Sequence, residues 1–170
     1  MFRKALCFVL LLFFALSCAG TNSFAVQPAP FYLSGTLGDD EYHIFELINR
    51  ERARNRLGQL QWDDRLADFA RDYSQQMADQ NFFSHYNQSG ETVVDRAREQ
   101  RIKGWERIGE NLFETYGLED ISSFAVRGWM KSPSHRTNIL DRDWNATGIG
   151  IAVARNGKVY ITEVFTQDYR

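Results

Sequence analysis

Apolar residues recur along this chain with two different periods, and the change of period divides it. Leu66, Phe69, Ala70, Tyr73 and Met77 form one helical stripe, spaced at i, i+3, i+4, i+7 and i+11. The helix that carries them is expected to start at an Asp63 or Asp64 cap and to run to about Gln80. An earlier helix is expected from Asp39 or Asp40, with Ile44, Phe45, Leu47 and Ile48 as its apolar face. Arg50, Arg52, Arg54 and Arg56 crowd its C-terminal half and read as a solvated helix end, with Gly58 as the stop. Leu60 to Trp62 is a short extended piece. Thr92, with Asp95 three residues on, has the form of a capping box for a third helix to about Arg101, ending before Gly104.

Glu106 to Glu114 alternates and predicts a strand. Ile121, Phe124, Ala125, Gly128 and Trp129 return to helical spacing, placing a fourth helix over Leu118 to Lys131. Ser132 and Pro133 read as the cap and first position of a short fifth helix through Leu140. Two apolar runs close the chain, Gly148 to Ala154 and Val159 to Gln167. Asn156-Gly157 between them is the turn of a β-hairpin. Helices first and a hairpin last predict an α+β fold rather than a parallel α/β one.

The first residues follow another pattern. Arg3 and Lys4 precede an unbroken apolar run from Ala5 to Leu16, the layout of a signal peptide over residues 1–25. Two exits are readable. Ala15-Leu16-Ser17-Cys18 has the form of a lipoprotein cleavage site, which makes Cys18 a lipidation site and a lipid on it the membrane anchor. Ser23-Phe24-Ala25 is the ordinary alternative, giving a secreted protein. Residues 19–38, with Pro28, Pro30, Gly35 and Gly38, read as a linker, and 39–170 as the folded domain. The domain is expected outside the cytoplasm. Both cysteines, Cys7 and Cys18, lie before it, so packing rather than disulfides must stabilise it. Its length of about 130 residues suffices for one core. Without Arg3 and Lys4 the chain holds 18 basic residues (20 − 2) against 22 acidic ones. That mildly acidic balance, with no basic stripe, argues against nucleic acid as a partner.

Candidate chemistry is sparse. His85 follows a helix, behind Phe82 and Phe83, which should anchor it against the core. His135 lies in the first turn of the fifth helix, where the helix dipole disfavours imidazolium. Glu110 sits on the strand after Gly109, which leaves room for close approach. Two imidazoles and a carboxylate can hold zinc or another divalent metal. Yet there is no His-Glu-x-x-His motif and no Gly-x-Ser-x-Gly elbow. Spacing alone favours structural hydrogen bonds at helix ends over a metal site. His43 has no neighbouring motif and reads as surface.

Several segments in this order resemble the CAP superfamily of cysteine-rich secretory, antigen 5 and pathogenesis-related proteins, in its cysteine-free bacterial SCP-like branch. They are Leu47-Ile48-Asn49-Arg50-Glu51-Arg52, Leu60-Gln61-Trp62-Asp63, Phe82-Phe83-Ser84-His85, Gly109-Glu110-Asn111-Leu112, the stretch from Gly128-Trp129 through Ser132-Pro133-Ser134-His135 to Leu140, and Gly148-Ile149-Gly150. The resemblance spans about Glu41 to Gln167. It implies an α-β-α sandwich with a central antiparallel sheet between helical layers. It also implies His85 and His135 facing each other across a cleft as metal ligands, with Glu110 joining them and Asn111 and Ser132 lining it. Where other members add a second glutamate, Ser132 stands here. The expected function is an envelope or secreted binding protein for a divalent metal or a small apolar ligand such as a lipid or sterol. A metal-dependent hydrolase, with zinc on His85 and His135 and Glu110 as the catalytic base, is the alternative. A structural protein with a vestigial cleft is the third.

Overall fold

The computed structural model describes residues 36–117 and 120–168. The proposed signal peptide, Cys18 and most of the linker therefore lie outside the described residues.

The chain runs α1 (Leu37–Arg54), β1 (Gln61–Trp62), α2 (Asp64–Gln80), α3 (Val93–Glu99), β2 (Trp105–Tyr116), α4 (Ile121–Lys131), α5 (Pro133–Ile139), β3 (Ala146–Val153) and β4 (Lys158–Asp168). The sheet order is β1-β3-β4-β2. β4 pairs antiparallel with both β3 and β2. The central strands are antiparallel as expected, and at one edge β1 lies parallel to β3, so the sheet is mixed. β1 itself is only two residues long, because Asp63 already caps α2.

Successive residues of a strand face opposite sides, and the core divides accordingly. Ile149 and Ile151 of β3 and Val159, Ile161 and Phe165 of β4 pack with Ile44, Ile48, Ile121, Ala125 and Trp129 of α1 and α4. Ala146 and Ala152 of β3, with Tyr160 and Val164 of β4, pack instead with Leu66, Phe69, Ala70, Tyr73 and Met77 of α2. Helices thus cover both faces. α2 lies directly on β3 because Gly148 and Gly150 present no side chain to it. A Cβ on Gly150 would stand 2.0 Å from the Arg71 nitrogen, and one on Gly148 2.1 Å from that of Ala67.

Side chains also cover the sheet edges. Glu41 of α1 is buried, accepts from Arg71 and takes the Ile151 N–H of β3 at 3.0 Å. On the other edge, Trp129 Nε1 donates to the Leu112 carbonyl of β2 at 2.9 Å.

Helix ends depart from expectation. α1 starts earlier than Asp39: Thr36 is the cap, and Asp39 is its reciprocal partner in a capping box. The last residues of the expected linker therefore belong to the helix. α1 ends at Arg54 rather than at Gly58, and α3 at Glu99 rather than Arg101. The left-handed residues after them are arginines, Arg56 (φ 60°) and Arg101 (φ 58°). Leu57 N bonds back to Arg52 O and Ile102 N to Ala97 O, so each end closes like a Schellman motif without its usual glycine. Ser132 joins α4 to α5, but its hydroxyl makes no capping bond.

Candidate functional site

The turn after α2 positions the first histidine. Asn81 takes a left-handed conformation (φ 52°) and turns the chain back. Phe82 then packs edge-on against Tyr73, with ring centroids 6.2 Å apart. Of the two expected anchors only Phe82 packs inward; Phe83 is exposed. The Tyr73 hydroxyl donates to the Ser84 carbonyl at 2.7 Å. Burial pushes that phenol up to about 12, so it stays a donor. His85 emerges with its side chain 52% exposed, its Nδ1 2.9 Å from Glu110 Oε1.

Glu110 is only 3% exposed in its side chain, and its other oxygen accepts from Arg96 Nη2 at 2.7 Å. Arg96 is buried, its guanidinium 3.4 Å from the centroid of the Tyr73 ring. Its Nη1 also reaches the carbonyls of His85 (3.2 Å) and Glu91 (3.1 Å). Removing one partner of a buried ion pair typically costs about 3–5 kcal/mol, because the other charge is left uncompensated. Glu110 is therefore a committed carboxylate, with both oxygens engaged.

The second histidine lies on α5. His135 is partly buried. Burial, and then the nearby His85, hold its imidazole below the ordinary histidine range, which favours the neutral form. Asn111 is wholly buried and secures this helix from within. Its Nδ2 donates to the His135 carbonyl (3.3 Å) and to Glu163 Oε2 (3.4 Å). Asn138 Nδ2 donates to Asn111 Oδ1 (3.0 Å) and to the Glu110 carbonyl (3.2 Å). Adjacent residues of β2 thus serve the two histidines: the Glu110 side chain holds the His85 imidazole, and the Asn111 side chain holds the main chain at His135.

Glu163 lies on β4 beneath this network, fully buried, with Oε1 unpartnered. Desolvation pushes its carboxyl up to about 8, against the opposing pull of Asn111, Arg52 and Thr147. Arg52 is buried too, contrary to its expected place in a solvated arginine cluster. It donates to the carbonyls of Gly58, Ile139 and Asp141, each at 2.8 Å, and so ties the segment after α5 to α1.

The remaining candidates sit at the margin. Ser132 is half-buried, its hydroxyl 3.3 Å from that of Ser134. The space beside Gly109 is filled by the Trp144 indole, 3.1 Å from where a Cβ would stand. His43 is exposed, near Glu46. Spacing in the sequence does not point to Arg96, Tyr73, Asn138 or Glu163 as parts of the site. Glu163 leaves a trace there, as a lone carboxylate inside the apolar run from Val159 to Phe165. Arg96 leaves only its place beside Val93 and Ala97 on a short helix.

Among the described residues no group of three or more His, Cys, Asp or Glu side chains is disposed to hold a metal ion. Nor is any described helix long and apolar enough to cross a membrane.

A helix-covered mixed sheet with two histidines brought to the sides of one edge strand defines the CAP class of domain. Residues 45–169 match the cysteine-rich secretory protein (CAP) family, and the chain belongs to it. It is 32% identical over 111 residues to YlbC, an uncharacterized membrane protein of Bacillus subtilis (strain 168), covering 65% of this chain and 31% of that one. It is 32% identical over 120 residues to YkwD, an uncharacterized protein of the same strain, covering 71% of this chain and 44% of that one. The chain thus spans less than half the length of these curated relatives. Among solved structures it is similar to an extracellular protein containing a SCP domain from Bacillus anthracis str. Ames. The TM-score is 0.68 and the identity 30%, over 77% of this chain and 41% of that one.

Proposed function

We infer that this CAP domain is an extracytoplasmic binding module whose ligand sits between His85 and His135. The observation that carries this reading is the commitment of Glu110. With one oxygen on Arg96 and the other on His85, the carboxylate serves to orient an imidazole and is poorly placed to activate water. Phe83 and Tyr86, neighbours of His85 in the chain, expose their rings. Two imidazoles and these rings suit an amphiphilic ligand, lipid or sterol among them, with its polar group between the histidines and its apolar part on the rings.

The donor set bears on the metal. Catalytic zinc sites ordinarily carry three protein ligands, and here two imidazole nitrogens are available. They fit a divalent ion, zinc among them, that brings its other donors from water or from the ligand. They do not fit a resident catalytic zinc, so the hydrolase reading is the weaker one.

Placement outside the cytoplasm is supported by the basic and then apolar N-terminal run and by the extracellular Bacillus anthracis relative. Membrane attachment through a lipid on Cys18 belongs to the same proposal. Loss of fatty-acid labelling in Cys18→Ser is the result expected for it.

Titration calorimetry with Co²⁺ and Zn²⁺, on the protein and on His85→Ala and His135→Ala, tests the cleft. Binding should weaken at least tenfold in each variant. Unchanged binding in both would remove the shared site. Metal-dependent cleavage of a peptide or ester, lost in a folded Glu110→Gln variant, would overturn the binding module in favour of the hydrolase.

A further inference from the structure

Arg96 reaches His85 by two routes, one direct and one through Glu110. Its Nη1 takes the His85 main-chain carbonyl at 3.2 Å. Its Nη2 takes, at 2.7 Å, the carboxylate whose other oxygen meets His85 Nδ1. The same guanidinium lies on Tyr73, whose hydroxyl holds Ser84, the residue before His85. Backbone and ring of one histidine are thereby referenced to a single planar cation.

We propose that Arg96 is a positioning residue that fixes both the direction of the His85 ring and its tautomer, so that Nδ1 carries the proton and Nε2 is the nitrogen offered to a ligand. The chemistry follows from what each partner can do. Glu110 places one oxygen on the Arg96 guanidinium and presents the other to the ring as an acceptor, so the ring nitrogen facing it donates. A neutral imidazole with Nδ1 protonated has its lone pair on Nε2. An arginine is suited to this task because its fork reaches carboxylate and carbonyl together in a fixed plane, whereas a lysine ammonium is a single point of charge. Tyr73 keeps that plane in place from below.

α3 thus contributes to the cleft without touching its ligand. The inference deepens the two-histidine reading and predicts what that cleft accepts: metal ions and hydrogen-bond donors, which take a lone pair. Groups that are purely anionic have nothing to bind at His85.

Arg96→Gln and Arg96→Lys, compared with the unaltered protein, test the assignment. Two-bond ¹⁵N–¹H correlation spectra report the tautomer of each imidazole. His85 should be the Nδ1–H form in the unaltered protein and a mixture in Arg96→Gln, with Arg96→Lys intermediate. His135, on α5, should keep its signals and shows that the fold persists. Co²⁺ affinity should fall about 10- to 100-fold in Arg96→Gln, the usual effect of removing an outer partner of a ligating histidine. Should Arg96→Gln fail to fold, Arg96→Lys, which keeps a cation beside Glu110 and loses only the fork, carries the same test. A folded variant in which His85 retains a pure Nδ1–H tautomer overturns the proposal. If the unaltered protein binds no Co²⁺, the metal arm of the cleft reading fails, while the tautomer comparison still decides the role of Arg96.

Discussion

Replacing Glu163 with glutamine should change how the stability of this domain depends on pH. Glu163 is wholly buried on β4, and desolvation pushes its carboxyl from an ordinary 4.5 up to about 8. In the unfolded chain the same group loses its proton near 4.5. Between those values folding takes up a proton, so stability falls as pH rises. The contribution of the protonated form is complete below the unfolded value and is lost as pH climbs through the folded one. The slope in that window is about 1.4 kcal/mol per pH unit. From pH 5 to pH 8 it amounts to roughly 4 kcal/mol. Glutamine has nearly the same shape and cannot ionise, so Glu163→Gln should lose this slope. The two proteins should agree within about 1 kcal/mol at pH 5, where both side chains are neutral. At pH 8 the variant should be the more stable by several kcal/mol. Urea unfolding of both at unit steps of pH gives the difference directly, and other titrating groups, His135 among them, largely cancel. A difference that stays flat across the window would mean that Glu163 is ionised in the fold. Arg52 would then have to balance it, and the network around Asn111 would hold a buried ion pair in place of a neutral acid.

Two further results are expected. Gly150→Ala would push a methyl group to 2.0 Å from the Arg71 nitrogen and 2.3 Å from the Ala70 carbonyl carbon, so α2 must lift off β3. The loss should be about 3 kcal/mol or more, read as a lower Tm. Arg56→Gly and Arg101→Gly should each raise stability by about 1 kcal/mol, since both positions are left-handed and exposed. In urea titrations the two gains should add, and no gain at either would contradict the strain assigned to these helix ends.

Local features are legible in the sequence because their causes are local. The α2 stripe, the Thr92–Asp95 capping box and the Asn156-Gly157 turn each depend on residues a few positions apart. The helix stops are misplaced when glycine alone is read as the punctuation, because arginines adopt the left-handed turn. The parallel pairing of β1 and the burial of Arg52 are illegible for another reason. Each is created by segments more than eighty residues away, such as the Ile139 and Asp141 carbonyls that receive the guanidinium. At the site, His85, Glu110, His135 and Asn111 come from family motifs rather than from spacing. The structure adds how they are held: Glu110 by Arg96, and Asn111 against Glu163. Both arrangements join residues whose own neighbourhoods look ordinary.

The covering of the sheet edges limits how this domain can meet other chains. An exposed strand edge is a template on which a foreign peptide, or a second copy, can add a strand. Here the Glu41 carboxylate takes an N–H on one side, and Trp129 and Asn138 take carbonyls of β2 on the other. The invading backbone would have to displace partners that are themselves packed into the core. Strand addition is therefore disfavoured at these positions of the two edges.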